Sequence, residues 1–381
     1  MRGHIAKKGN RYYAVVYEGT DPATGKQRHR WYQGGSTRRE AERTLTEIVK
    51  RIHDGDYRAP EKITLGDYLV HRWLPLRKNQ LGASTYDAHR RNINHHILPH
   101  LGMIPLQRLT ADDLDGLYVK LLTEGRRNGG GGGLSPKTVR NIHGLLHKAL
   151  SDATRKGAVL RNVALQADPP RVRSHSAMRV WNAEQLRQFL TEIDDHRMAP
   201  AFYVAANTGM RRGEVLGLTW SAVDLEDARV SVHQAVTNVA YEKRVGDVKT
   251  STGRRMVDLD ARTVEVLRRW RQVQAEEQDL TGLHPGDSGF VFAKPDGSPI
   301  HPDYMSQLFE RRVEASTLPR IRLHDLRHTH ATILLKAGVP VKVVSERLGH
   351  SSPAFTMTVY QHVLPGMQAE AAAKFGEALW G

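Results

Sequence analysis

The segments RYYAVVY (residues 11–17) and QRHRWY (residues 27–32) are dense in aromatic and β-branched residues and flank the turn-forming stretch DPATGK. That pattern predicts two strands. Thr37-Arg38-Arg39-Glu40 then has capping-box spacing, and Ala41, Leu45, Ile48, Val49 and Ile52 recur on one face of the helix it would open. A small sheet backed by a helix is expected.

From residue 61 to 158 the spacing of apolar positions is helical. Thr110-Ala111-Asp112-Asp113 caps a helix carrying Leu114, Leu117, Tyr118, Leu121 and Leu122, and Ser135-Pro136 opens another carrying Val139, Ile142, Leu145, Leu146 and Leu150. Earlier helices are expected to begin near Thr64 and Ser84. The glycine tract at 128–133 reads as a flexible connection, and no GK[ST] follows it, so a P-loop is unsupported. Residues 166–177 (QADPPRVRSHSA) have the composition of a linker. A new domain opens near Val180, with a cap at Asn182 to Gln185.

Charge changes the picture. The chain has 56 Lys and Arg against 41 Asp and Glu, a net of +15, which favours a polyanionic partner. Basic against acidic residues number 13 to 7 in 1–60, 18 to 9 in 61–175, and 25 to 25 in 176–381. The surplus is confined to the first 175 residues, where it would grip nucleic acid non-specifically, unless it serves only solubility. Arg28, Arg30, Trp31 and Tyr32 on the second strand could enter a DNA groove, although a mini-domain contacting protein would read the same. Arg171 and Arg173 could follow a DNA backbone. No cysteine is present, which excludes disulfides and thiolate metal sites and suits a cytoplasmic location. No apolar run reaches bilayer length, so no membrane partner is expected. His95, His96 and His100 lack acidic or sulfur partners at ligand spacing, and no metal is assigned to them.

The candidate chemistry lies in the C-terminal half. In Thr208-Gly209-Met210-Arg211-Arg212-Gly213-Glu214, a glycine permits a tight turn before Arg211, and Glu214 follows three positions later, close enough to orient it. A guanidinium offers a planar fork to two phosphate oxygens, although a surface salt bridge would give the same pattern. Lys249 lies in VGDVKTSTGRRMVDL, read as two strands joined by a Thr-Ser-Thr-Gly turn that could bring an ammonium to a leaving oxygen. His324 and Arg327, at i and i+3, share one helical face. A short helix through Val341–Leu348 stops at Gly349, His350 follows directly, and Tyr360 comes ten residues later.

The segments TGMRRGEVLGLTW, LHDLRHTHAT, LGHSS and TVYQH match, in order and at ordinary separations, motifs of the tyrosine recombinases of the phage-integrase family. The chain resembles that family over roughly residues 178–381. Residues 61–158 resemble its core-site-binding domain and residues 1–55 its small three-stranded arm-binding domain. The resemblance implies a multidomain, mainly α fold with small β-sheets. Its parts are a sheet-plus-helix arm domain (1–58), a helical core-site domain (61–165), a linker (166–177) and a mixed α+β catalytic domain (178–381). It implies a site-specific DNA recombinase working through a 3′-phosphotyrosyl link and a Holliday junction. Tyr360 would be the nucleophile, Arg211, Lys249, His324, Arg327 and His350 its catalytic partners, and Glu214 a support, with Lys243 lying near the hairpin lysine. It further implies core-type and arm-type attachment sites in double-stranded DNA, a homotetramer, accessory DNA-bending or directionality proteins, and no cofactor. The tail from residue 366 to 380, with Met367, Phe375, Leu379 and Trp380, would dock on a neighbouring subunit or on its own domain. Against this stand a zinc site at His324 and His328, which lacks a third ligand and the expected glutamate, a DNA-binding regulator without catalysis, and a type IB topoisomerase.

Overall fold

The computed structural model describes residues 3–20, 25–53, 63–126, 131–172, 179–239, 242–248, 253–282, 289–350, 352–360 and 367–380. Within these, the side chains at 18, 19, 28, 51, 281, 355, 358–360 and 367–371 lie outside the description. The chain divides into two compact units, Met1–His175 and Ser176–Gly381.

The first unit opens with three antiparallel strands, Gly3–Lys8, Arg11–Thr20 and Gln27–Gly35, paired in that order. The first of them carries little apolar signal and escapes periodicity. Ala14 pairs with Tyr32 and Val16 with Arg30, so these four share one face. That face packs on the helix Arg38–His53 through Ala14, Val16, Tyr32 and Ile48. The helix comes so close that a side chain on Gly34 would collide with Ala41. The opposite face presents Tyr13 and Trp31, ring centroids 5.8 Å apart, and Trp31 is 51% exposed.

The helical part of this unit begins with a continuous run through Leu65–Asp67, Tyr68–Trp73 and Leu74–Arg77, whose middle piece is π-helical. Ala83–Asn92, Ile93–Ile97 and Leu98–Leu101 repeat the arrangement, with helix starting at Ala83 rather than Ser84. Both π turns end one residue before a Leu-Pro pair, Leu74-Pro75 and Leu98-Pro99. A proline ring inside a helix clashes with the carbonyl four residues back, and the wider turn makes room for it. Ala111–Glu124 starts with a complete capping box at Thr110, and Pro136–Arg155 with Ser135 as N-cap. Leu69, Trp73, Leu117, Tyr118, Ile142 and Leu146 belong to one core, which Ala167 joins from the start of the expected linker.

A buried carboxylate ties the first helical run to the last helix. Asp152, 2% exposed, accepts from the Trp73 indole (2.9 Å), from Arg155 (3.0 Å) and from Arg77. Burial alone would raise its pKa, but the hydrogen bonds from Trp73, Arg155 and Arg77 hold it well below the carboxylate range.

The second unit surrounds Ala199–Thr208, a helix buried on nearly every side. Trp181, Phe189, Phe202 and Phe309 form an aromatic cluster with centroids 5.0–6.1 Å apart. Strands Val223–Asp224, Arg229–Val232 and Arg255–Asp258 make one antiparallel sheet, and Gln234–Val239 with Glu242–Asp247 make another. This corrects the expected hairpin around Lys249: the two strands exist but pair with other partners. Val230 and Val257 are buried opposite one another, whereas Glu242–Asp247 is polar and mostly exposed. A strand without an apolar face cannot replace Arg229–Val232 beside the core.

Replacing Asp152 by Ala should cost about 2 kcal/mol, because three donors lose a buried acceptor. Hydrogen exchange across Pro136–Arg155 in the full chain should accelerate accordingly; unchanged protection would show that the carboxylate anchors nothing.

Candidate active site

The buried helix Ala199–Thr208 ends at Gly209, whose φ of 64° lies in the left-handed region. A Cβ there would meet Leu348 at 2.6 Å and His330 at 2.8 Å, so both conformation and space require glycine. The turn delivers Arg211 as N-cap of the helix Arg212–Leu216. Its backbone N–H donates to Glu214 Oε2 at 2.9 Å and its Nη1 to Glu214 Oε1 at 2.8 Å. Glu214 is buried, while the Arg211 side chain remains 44% exposed. Burial would push the Glu214 carboxyl up, but the hydrogen bond and charge of Arg255, with bonds from Arg211, outweigh it and keep the group below its ordinary value.

Arg327, 3% exposed in the helix Asp325–Lys336, donates through Nη1 to Gly209 O (2.8 Å) and through Nη2 to Leu348 O (2.7 Å). His324 stands at the N-terminus of the same helix, exposed, with its ring edge-to-face against His328 at 5.0 Å. Desolvation and then the Arg327 charge lower its pKa. The helix Val341–Leu348 ends at Gly349, φ 68°, whose carbonyl accepts from Arg211 Nη2 at 3.3 Å. His350 follows. Its Nδ1 lies 2.8 Å from Oγ1 of the buried Thr356, in the helix Pro353–Tyr360. Desolvation, Arg327 and Arg211 push His350 down to about 4, so the ring is neutral at pH 7.

Arg211, His324, Arg327 and His350 therefore share one electrostatic neighbourhood. Lys249 and the Tyr360 side chain lie outside the described residues, and Tyr360 is placed only as the last residue of its helix. Lys243 is turned to the Pro299 carbonyl, 2.9 Å from Nζ. Among the residues expected to meet DNA, Trp31 lies on the open face of its sheet and Arg171 is exposed. Arg30 is half-buried and shares the parity of Tyr32, which packs against the helix and so is not part of an open strand surface. The Arg28 side chain and Arg173 lie outside the description.

Three residues of this neighbourhood were not singled out in the sequence. Arg255, with a 7% exposed side chain, donates to Glu214 Oε2 (2.8 Å), to Arg347 O (2.7 Å) and to Gly253 O (3.1 Å). Arg347 donates to Asn207 O (3.0 Å) and to His330 Nε2 (3.2 Å). His330 can accept there only if its proton is on Nδ1, which lies 2.9 Å from Ala206 O. The segment GRRMV gives no sign of which arginine turns inward.

Three family models match the chain: the phage integrase family over residues 178–366, its N-terminal SAM-like domain over 64–122, and the arm DNA-binding domain over 4–52. The chain belongs to the tyrosine recombinases of the phage-integrase family. This recombinase is 27% identical to a XerC-like tyrosine recombinase of Caldanaerobacter subterraneus subsp. tengcongensis, over 97% of its own length and 96% of the relative's. It is 28% identical to the ICEBs1 integrase of Bacillus subtilis, over 98% and 100%. Its fold is similar to that of the Tn1549 transposon integrase solved with a circular intermediate DNA (TM-score 0.66, 20% identity, 82% of this chain and 99% of that one). It is also similar to lambda integrase, solved as a tetramer bound to a Holliday junction (TM-score 0.58, 17% identity, 93% and 94%). The enzyme is a tyrosine-type site-specific recombinase.

Burial, followed by the Arg347 charge, pushes His330 down to about 3 from an ordinary 6.5. The folded recombinase resists a proton that the unfolded chain accepts, so the resulting stability is complete above about pH 6.5 and is lost as pH falls toward about 3. His330→Asn should flatten the dependence of thermal stability on pH between 6.5 and 4 by roughly one proton. An unchanged slope in melts of the full chain would mean that His330 protonates freely in the fold.

Proposed function

We propose that this recombinase cuts and rejoins DNA with Tyr360 as nucleophile. The phenolic oxygen attacks the scissile phosphorus, the bond to the 5′ oxygen breaks, and a 3′-phosphotyrosyl link and a free 5′-hydroxyl result. Arg211 and Arg327 hold the non-bridging oxygens as charge grows in the transition state, and losing one such clamp costs on the order of 10²-fold in rate. Lys249 protonates the departing 5′ oxygen, and His324 assists proton transfer at Tyr360. When the Thr356 hydroxyl donates to His350 Nδ1, the ring proton sits on Nε2, where it can be offered to the phosphate. Because the phosphotyrosyl bond retains the energy of the one broken, rejoining requires neither ATP nor metal.

The observation that carries this reading is the convergence of Arg211, Arg327 and His350 on the C-terminal end of the helix Val341–Leu348, which leads into the helix ending at Tyr360. Glu214 supports Arg211 from behind. Residues 1–58 serve as an arm-site domain and 61–165 as a core-site domain, with Arg28, Arg30, Trp31, Arg171 and Arg173 as contacts and 166–177 crossing to the catalytic domain at 178–381. The protein acts in the cytoplasm as a homotetramer on two duplexes through a Holliday junction, the assembly in which lambda integrase was solved. Accessory DNA-bending or directionality proteins would set its direction. Phe375, Leu379 and Trp380, 54–84% exposed in the helix Met367–Trp380, would be covered by a neighbouring subunit in that assembly.

Tyr360→Phe should still bind a duplex carrying the core site but form no covalent protein–DNA adduct with a nicked version of it. Adduct from that variant would remove Tyr360 as nucleophile. Deleting residues 1–60 should leave core-site cleavage intact while lowering recombination between full attachment sites, and undiminished recombination would count against an arm-binding role.

A further inference from the structure

We propose that Arg255 is a positioning residue for the phosphate site: it supplies the buried countercharge to Glu214, so that the charge of Arg211 stays available to the substrate. The proposal rests on the assignment of Arg211 to the scissile phosphate. Glu214 divides its oxygens, Oε1 to Arg211 Nη1 at 2.8 Å and Oε2 to Arg255 Nη2 at 2.8 Å. Glu214 and Arg255 are both buried, with side chains 3% and 7% exposed, whereas that of Arg211 is 44% exposed. With Arg211 alone, one carboxylate and one guanidinium would cancel, and a phosphate would meet a neutral pair. With Arg255 behind the carboxylate, the trio carries one net positive charge, and its solvent-facing member is Arg211.

The same guanidinium fixes the site's geometry. Its Nε donates to Arg347 O at 2.7 Å, two residues before Gly349, whose carbonyl takes Arg211 Nη2. Its Nη1 donates to Gly253 O at 3.1 Å, which also holds the backbone two residues before the strand it opens. Arg255 opens the strand Arg255–Asp258, where Cα pairing with Val232 fixes its backbone. Three acceptors in three directions suit a planar fork; a lysine ammonium at the end of a flexible stem cannot hold all of them. Among the described residues, the charged or titratable groups that interact with the pair include Arg211 on the Glu214 side, and Arg347 and the neutral His350 at the end of the neighbouring helix, both of which feel Arg255.

The test uses the full chain and a nicked duplex spanning the core site of its own mobile element, with covalent adduct formation followed against pH. Arg255→Met should slow adduct formation by about 10²-fold, the scale of a misplaced reacting group, while affinity for the intact duplex is unchanged. Its acid limb should move to higher pH, because Glu214 without Arg255 accepts a proton sooner. Adding Glu214→Gln should abolish that movement. Arg255→Lys keeps the countercharge, so its acid limb should stay in place while its rate falls, and it carries the test if Arg255→Met does not fold by circular dichroism. Wild-type rate and pH profile in the variants would overturn the proposal, as would a rate loss with an unmoved limb in Arg255→Met or a moved limb in Arg255→Lys. Tyr360→Phe run in parallel separates the two readings: adduct from it would overturn the nucleophile assignment, whatever the Arg255 variants do.

Discussion

Two helices of the C-terminal unit point their C-terminal ends at each other, and Arg327 sits between them. Ala199–Thr208 ends at Gly209 and Val341–Leu348 ends at Gly349, both left-handed, with φ of 64° and 68°. Helix C-termini carry unpaired carbonyls and partial negative charge, so bringing two together is unfavourable without a cation. Arg327 donates one Nη to each end, to Gly209 O and to Leu348 O, and is 3% exposed. Arg255 and Arg211 take the flanking carbonyls of Arg347 and Gly349. Three guanidiniums from distant parts of the chain thus occupy three consecutive carbonyls. The positions of Arg211 and His350 follow from that capture. If Arg327 lost its charge, the two helix ends would repel, and the turn presenting Arg211 would lose its second wall.

The same arrangement explains how a formally neutral unit can hold a cationic site. Its buried guanidiniums are matched by helix carbonyls and by Glu214, and His328, His330 and His350 are held toward their neutral forms, chiefly by burial. At this site the exposed guanidinium of Arg211 is backed by the buried pair of Glu214 and Arg255. The surplus of basic residues lies before residue 176, close to where the chain divides into its two units. Long-range attraction to a polyanion and local stabilisation of one phosphate make different demands: the first needs many exposed charges and weakens with salt, the second a few desolvated ones that do not.

Local signals made much of this legible in the sequence. Thr110, Ser135 and Asn182 cap the helices whose starts they mark, because a cap bond spans only three residues. Gly209 and Gly349 mark turns that only glycine adopts easily. What escaped is non-local. Nothing near Arg255 says that its partners are Glu214, Arg347 and Gly253, or that Arg254 beside it turns instead to Asp247. Strand pairing failed for the same reason: polar Glu242–Asp247 and apolar-faced Arg255–Asp258 adjoin in sequence, but burial sends only the second to the core sheet. The parity of Arg30 and Tyr32 depends on which face the helix covers, a fact that aromatic richness alone does not carry.

His350 is tied through its backbone N–H to Ser345 O at 3.0 Å, and through Nδ1 to Thr356, one helical turn before Tyr360. The helix ending in the proposed nucleophile is thereby joined to the carbonyl cluster that orders the arginines. A neutral imidazole suits this double duty: protonated at both nitrogens it could no longer accept from the Thr356 hydroxyl, and it would add a cation beside Arg327 and Arg211. Burial and those arginines hold His350 neutral until about pH 4, so near neutral pH the ring can still accept from Thr356. In the proposed chemistry the grip on phosphate and the approach of the phenol would therefore meet in one ring, whose protonation state is set by burial first and then by the charges beside it.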